Sequence, residues 1–165
     1  MTLANLRAIQ RLQAFEASPA GVQRLLEAAS RNLADAGLVL LSPENRFDAA
    51  YKTIMQCAML GLWAHGYRTS THQPGHHQTA LQALPLTMGL PKDVIIVLDA
   101  LRKQRNLNDY EGDPISDAVV VECVAQAEVL LAHTRRWLQD SFPALLAAPD
   151  LGNVAMTVNR APRRS

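Results

Sequence analysis

Cysteine is scarce in this sequence. Cys57 and Cys123 are the two cysteines among 165 residues, and both lie within apolar runs, without the spacing of metal ligands. A disulfide framework uses several paired cysteines, and a zinc knuckle uses clustered ones, so the pattern argues against both. We therefore predict that the two thiols are small core side chains in a protein of a reducing compartment.

Long apolar runs are missing as well. The N-terminal segment 1–13 is interrupted by Arg7, Gln10 and Arg11. No run in the chain approaches the roughly 20 apolar residues of a membrane-spanning helix. The sequence thus predicts no membrane partner and a cytoplasmic location.

The chain has almost no excess charge of either sign. Sixteen Lys and Arg residues oppose 15 Asp and Glu residues, which leaves a net charge of +1. The overall charge therefore indicates neither a nucleic-acid nor a membrane partner, and any anion site has to be local. A glycine-rich phosphate loop, a Gly-x-Ser-x-Gly motif and a His-Glu-x-x-His motif are also missing, so nothing supports nucleotide hydrolysis, acyl transfer or zinc proteolysis. We expect no cofactor and no metal.

Apolar residues at helical spacing dominate what is present. Two predicted helices begin at Ser18-Pro19 and Ser42-Pro43. At each start the serine side chain accepts from a free amide and the proline presets the first helical turn. The first helix is predicted to end at Gly37 and the second near Gly66.

Helix is also the prediction for the rest of the chain. Turn-forming residues fill 67–75, and a shorter helix is predicted from His76 to about Leu84. The β-branched clusters at 94–97 and 119–121 favour strand locally, but each belongs to a stretch that is long enough for a helix with apolar spacing of three and four. We therefore predict two helices on either side of the polar segment 105–113, the second over about 114–139.

These elements predict an all-α fold, an antiparallel bundle of four to five helices, because short connections join helices that each have one apolar face. The length fits a single domain, which we assign to residues 1–148. Residues 149–165 contain Pro149, Gly152 and three arginines and are predicted to form a flexible basic tail.

The densest polar cluster in the chain spans residues 102–113. If the helix continued through it, Arg105 would pair with Asp109, and Asn106 with Tyr110, each four residues apart. Such a cluster is commonly a solvated surface with an ion pair that contributes little stability. A solvated helix surface without a function is therefore one interpretation of this cluster, and a binding site is the other.

Several short motifs in this chain resemble those of HEPN domains (higher eukaryotes and prokaryotes nucleotide-binding). Arg105-Asn106 is followed after three residues by Tyr110 and then Glu111-Gly112, and this group comes after a helix that ends at Leu101-Arg102. The preceding motifs occur in the family order: Arg46-Phe47-Asp48-Ala49-Ala50-Tyr51-Lys52, Gly66-Tyr67-Arg68 and Gly75-His76-His77. The resemblance covers about residues 43–138.

The resemblance implies a helical bundle, commonly a homodimer, in which the turn with the arginine faces a cleft between subunits. It implies binding of nucleotide or RNA at Arg105, Asn106, Asp109 and Tyr110, and action with a nucleotidyltransferase-type partner in a toxin–antitoxin or stress system. The ribonuclease branch of the family has His where this chain has Tyr110. A phenol with a pKa near 10 is poorly suited to proton transfer at neutral pH, so we expect a binding module rather than an efficient nuclease.

Two alternatives stay open. His76 and His77 follow Pro74-Gly75 at a predicted helix start and are candidate catalytic residues, since either imidazole is suited to replace the missing base in a metal-independent ribonuclease. The other alternative is a protein-interaction bundle without a ligand, in which the polar cluster only ends one helix and organises an interface.

Overall fold

A computed structural model describes residues 1–147 and confirms the all-α bundle. Its elements, in chain order, are α1 (Leu3–Ala8), β1 (Leu12–Ala14), α2 (Pro19–Ala36), α3 (Pro43–Ala64), β2 (Tyr67–Thr69), α4 (His76–Gln82), α5 (Leu84–Met88), α6 (Lys92–Glu111), α7 (Asp117–Ser141) and a 3₁₀ helix (Pro143–Leu146). The four long helices α2, α3, α6 and α7 form the bundle. The predicted basic tail at 149–165 lies outside the described residues.

The serine starts of the long helices are confirmed. Ser18 accepts from the amide of Gly21, and Ser42 accepts from that of Asn45, with a proline at the first turn in both cases. Ser116 caps α7 in the same way, so this helix begins at Asp117 rather than near Pro114. These caps satisfy amides that have no partner within the helix, and they fix where each helix starts.

Helix α3 lies at the centre and packs against both α2 and α7. The Thr53 hydroxyl on α3 donates to the Ala29 carbonyl on α2, and Arg46 Nε donates to the Ala36 carbonyl, so these helices run in opposite directions. The short connection from α6 to α7 makes that pair antiparallel as well. Successive long helices therefore alternate in direction, as predicted for the bundle.

Both cysteines are buried and free, as the sequence predicts. Cys57 lies on α3, and Cys123 lies on α7 with its thiol 3.9 Å from the Phe47 carbonyl. Burial raises the pKa of each thiol to about 12. The thiols are therefore protonated core side chains that lack the thiolate needed for nucleophilic chemistry.

A two-stranded sheet was not predicted. Strand β1 pairs antiparallel with β2, with Leu12 opposite Thr69 and Ala14 opposite Tyr67. Part of the predicted turn segment 67–75 is therefore strand. Three residues are too short to show an alternating pattern, and the pairing depends on a partner more than 50 positions away, so local reasoning had no signal.

The largest correction concerns the polar segment 105–113. It is not a connection between two helices, because α6 continues through it to Glu111 and ends at Gly112 with a φ of 70°. The ion pair of Arg105 with Asp109, four residues later, supports this continuation. Side chains three and four residues apart in this segment therefore lie on the same face of the helix.

No helix within residues 1–147 is both long and apolar enough to cross a membrane.

Candidate functional site

Helices α4 and α6 enclose a small polar pocket of about 220 Å³. From α6, the side chains at 102, 105, 106 and 110 recur at intervals of three and four and so face the same side. The beginning of α4 forms the opposite wall. The lining residues are Gly75, His76, His77, Gln78, Arg102, Arg105, Asn106 and Tyr110.

The pocket unites two groups of residues that the sequence suggested separately. His76 and His77 lie opposite Arg105, Asn106 and Tyr110, although more than 25 residues separate the two groups in the chain. Tyr110 stands at the rim, where its side chain is 83% exposed. Asp109 does not line the pocket and instead pairs with Arg105.

Arg105 is held from three sides. Its guanidinium lies 3.3 Å from the Asp109 carboxylate, 3.8 Å from the Asp48 carboxylate on α3, and 5.3 Å from the centre of the Tyr51 ring. Its Nε atom is buried, and no acceptor within residues 1–147 forms a hydrogen bond with it. The predicted Arg105–Asp109 pair is therefore present, and the tertiary contacts with Asp48 and Tyr51 orient the guanidinium toward the pocket.

Arg102 is the second guanidinium of the pocket. It donates from Nε to the Asp99 carboxylate at 2.7 Å, and Lys103 lies 3.4 Å from the same carboxylate. Burial opposes ionisation of Asp99, but the hydrogen bond and charge of Arg102, with those of Lys103, outweigh it and lower the pKa of Asp99. Asp99 is thus ionised at neutral pH and fixes Arg102 in place.

Tyr51 is a site residue that the resemblance included in the motif 46–52 without giving it a role. Its side chain is 1% exposed, and its hydroxyl lies 3.2 Å from Nδ1 of His77. Burial raises the pKa of Tyr51 to about 12 despite the nearby charge of Arg105. The 26 positions between Tyr51 and His77 gave no local signal of this contact.

His77 is neutral at physiological pH. Burial, followed by the charges of His76, Arg105 and Arg102, lowers its pKa to about 4. A buried phenol that keeps its proton needs an acceptor, and Nδ1 of His77 is the one that the described residues offer it. We therefore assign the proton of the imidazole to Nε2, so that His77 presents a hydrogen-bond donor to the pocket.

The neutral state of His77 predicts a loss of stability in acid. The pKa of His77 is near 6.5 in the unfolded chain and about 4 in the folded one. Its contribution to the free energy of unfolding is therefore complete above pH 6.5 and is lost as the pH falls toward 4. One proton corresponds to a slope of at most about 1.4 kcal/mol per pH unit. Urea unfolding of the wild type and His77→Gln at several pH values between 7 and 4 should show a steeper decline for the wild type. Parallel curves would contradict the assignment.

Comparison with known proteins leaves the family open. No family model matches this chain, and no curated protein matches it. Within residues 1–147, no group of three His, Cys, Asp or Glu side chains is arranged to hold a metal ion. The side chains that line the site offer guanidinium, imidazole, amide and phenol groups.

Proposed function

We propose that this protein is a HEPN-like module that binds nucleotide or RNA through the pocket between α4 and α6. The observation that carries the proposal is the composition of the pocket wall. It contains two guanidinium groups, from Arg102 and Arg105, and no carboxylate among the described residues. Guanidinium groups donate paired hydrogen bonds to phosphate oxygens, and their charge is not lost at any physiological pH.

The neutral groups of the pocket suit the remainder of a nucleotide. Gln78 and Asn106 offer amide donors and acceptors for base or ribose edges, and the exposed ring of Tyr110 offers a face on which a base can stack. His77, protonated on Nε2, adds a donor for a phosphate oxygen. Phosphate, sugar and base thus each have complementary side chains in the pocket.

Arg105→Ala tests the proposal directly. Titration of the wild type with ATP and with a short single-stranded RNA should give saturable binding, and the variant should bind about 10- to 100-fold more weakly because a charge-assisted contact is lost. Lys92→Ala is the matched control, since it removes a cation from the exposed first turn of the same helix, outside the pocket. Equal binding by wild type and Arg105→Ala would remove the proposed site.

The wider setting is part of the proposal. We infer a homodimer, because Tyr110 projects from the rim and is 83% exposed, which leaves its ring available to a second copy. The resemblance to HEPN domains further suggests a nucleotidyltransferase-type partner in a toxin–antitoxin or stress system. Light scattering of the purified protein checks the dimer, and co-purification with products of neighbouring genes checks the partner.

A metal-independent ribonuclease is the second candidate, and one observation favours it. His76 lines the same pocket as Arg105. His77 is the weaker catalytic candidate, since its Nδ1 is occupied by Tyr51 and its Nε2 is assigned a proton. This candidate predicts RNA cleavage in the presence of a chelator that is lost in His76→Ala, whereas intact RNA after prolonged incubation favours the binding module.

A further inference from the structure

The surface around the small sheet is formed by two segments that lack acidic residues. Neither residues 1–15 nor residues 49–92 contain Asp or Glu, although the chain has 15 of them. The two segments meet where β1 pairs with β2. Of the cations in these segments, Arg7, Arg11 and Arg68 lie at or near the sheet, and Glu16 is the nearest acidic residue in the sequence.

A second groove, of about 350 Å³, lies on this face. Its polar lining residues are Arg7, Gln10, Gln13, Ser70, His72 and Gln73. The exposed side chains of Arg11 and Arg68 belong to the same sheet region. Within residues 1–147, no carboxylate lies within 4.0 Å of Arg7, Arg11 or Arg68, unlike Arg102 and Arg105 in the pocket.

Neighbouring side chains orient Gln13 of the groove and Arg68 beside it. Arg68 donates from Nε to the Gln13 side chain at 3.3 Å, and its guanidinium lies 5.4 Å from the centre of the Phe15 ring. The amide of Gln13 in turn donates to the Ser70 hydroxyl at 3.2 Å. No other side-chain hydrogen bond of Arg68 is formed within residues 1–147, so its remaining N–H groups are available to a ligand.

The groove and the pocket are joined through a short stretch of chain. Arg11, beside the groove, donates to the Thr79 hydroxyl at 3.5 Å, and Thr79 donates to the carbonyl of Gly75 at 3.2 Å. Gly75 lines the pocket. Residues 70–79 thus contribute Ser70, His72 and Gln73 to the groove and Gly75, His76, His77 and Gln78 to the pocket.

We propose that the groove and the pocket form one continuous track for single-stranded nucleic acid, with one nucleotide in the pocket and its neighbours along the sheet. The inference rests on the proposed function and extends it, since it selects a polynucleotide over a free mononucleotide. Cations lie both at the groove and at the pocket, the two sites to which residues 70–79 contribute, and can contact successive phosphates of a strand. The glutamine side chains between them can form hydrogen bonds with base edges.

Other polyanionic partners fit this face less well. Binding to a membrane surface requires apolar side chains that insert beside the cations. The one large apolar residue that lines the groove, Leu12, is 2% exposed and belongs to the core, and the exposed large apolar residues of the segment 1–15 are Met1 and Ile9 alone. A single phosphorylated residue of a peptide would use one of the two sites and leave the other empty.

The test compares ligands of different length on the wild type and on Arg7→Ala/Arg68→Ala. The probes are ATP, an eight-nucleotide single-stranded RNA and DNA of the same sequence. We expect the variant to bind ATP as the wild type does and to bind the RNA at least tenfold more weakly. The slope of log affinity against log salt for RNA should fall by about 1.4, since each strand phosphate contact contributes about 0.7.

Two further variants keep the test decisive. Arg31→Ala/Arg135→Ala removes two exposed cations on α2 and α7, which belong neither to the two sites nor to the strands of the sheet, and should leave RNA affinity unchanged. Arg7→Glu is a single surface change that replaces the double variant in the test if the latter folds poorly. It should also weaken RNA binding. If the double variant loses as much affinity for the DNA as for the RNA, the result supports a track that contacts the phosphate backbone.

Several outcomes would overturn the track. If ATP binds but RNA affinity is unchanged in Arg7→Ala/Arg68→Ala and in Arg7→Glu, the track is wrong and the pocket stands. The same conclusion follows if the wild type binds ATP and the eight-nucleotide RNA with equal affinity. If the wild type binds neither ligand, the proposed function fails, and the track fails with it.

Discussion

Arg105→Glu is expected to lower the affinity for ATP and for RNA by at least about 100-fold. The variant loses hydrogen bonds to a phosphate that are worth about 1.5–3 kcal/mol and adds repulsion between the new carboxylate and the ligand. It also places a third carboxylate beside Asp48 and Asp109, which lie 3.8 and 3.3 Å from the native guanidinium. A moderate loss of stability should accompany the loss of binding.

A charge exchange separates these two effects. In Arg105→Glu/Asp109→Lys the glutamate precedes the lysine by four residues, the favourable order for an ion pair on a helix. We expect thermal stability to recover toward the wild type while binding stays lost, because Asp109 does not line the pocket and a lysine there would not restore the missing contact. If the exchange restored binding together with stability, Arg105 would be a helix ion pair rather than a ligand contact.

Phe47→Ala should lower the free energy of unfolding by about 3–5 kcal/mol. The Phe47 side chain is 2% exposed and stacks on Tyr51 with 6.3 Å between ring centres. It belongs to α3, which packs against both α2 and α7, so the cavity would open where three helices meet. Because Tyr51 in turn contacts His77 and Arg105, we also expect weaker binding in the pocket.

Urea unfolding measures the effect of Phe47→Ala, and Leu40→Ala is its control. Leu40 lies between α2 and α3, and its side chain is 98% exposed, so truncation should change stability by no more than about 0.5 kcal/mol. If Phe47→Ala lowers the free energy of unfolding by less than about 1 kcal/mol, the neighbouring side chains move to fill the cavity. In that case Phe47 would not hold the floor of the pocket rigid.

Much of the fold was predictable because its signals are local. Ser18-Pro19 and Ser42-Pro43 carry the cap and the first turn of their helices within a few residues, and both starts were correct. The end of α6 was wrong because the polar segment 105–113 was interpreted as a connection between two helices, whereas the helix continues to Glu111 and ends at Gly112 in a left-handed conformation. The strands β1 and β2 were missed because each is only three residues long.

The candidate site was predictable in part. Sequence resemblance singled out Arg105, Asn106 and Tyr110, and it suggested His76 and His77 as candidates for the base that Tyr110 does not supply. Tyr51 and Asp48 belong to a motif of the resemblance, but the sequence did not indicate their roles, since each acts through a contact between different helices. Membership of the HEPN family and the binding of nucleotide or RNA stay predictions that the experiments above test.

The sequence by itself determined the helical class, the starts of α2 and α3 and the burial of both cysteines, because capping, apolar spacing and side-chain polarity act over a few residues. Only the tertiary structure decided which polar side chains share a pocket. That choice depends on how α4 packs across α6, which brings His77 to Arg102 and Arg105. The same packing lowers the pKa of His77, because burial and nearby positive charge arise only when the helices meet.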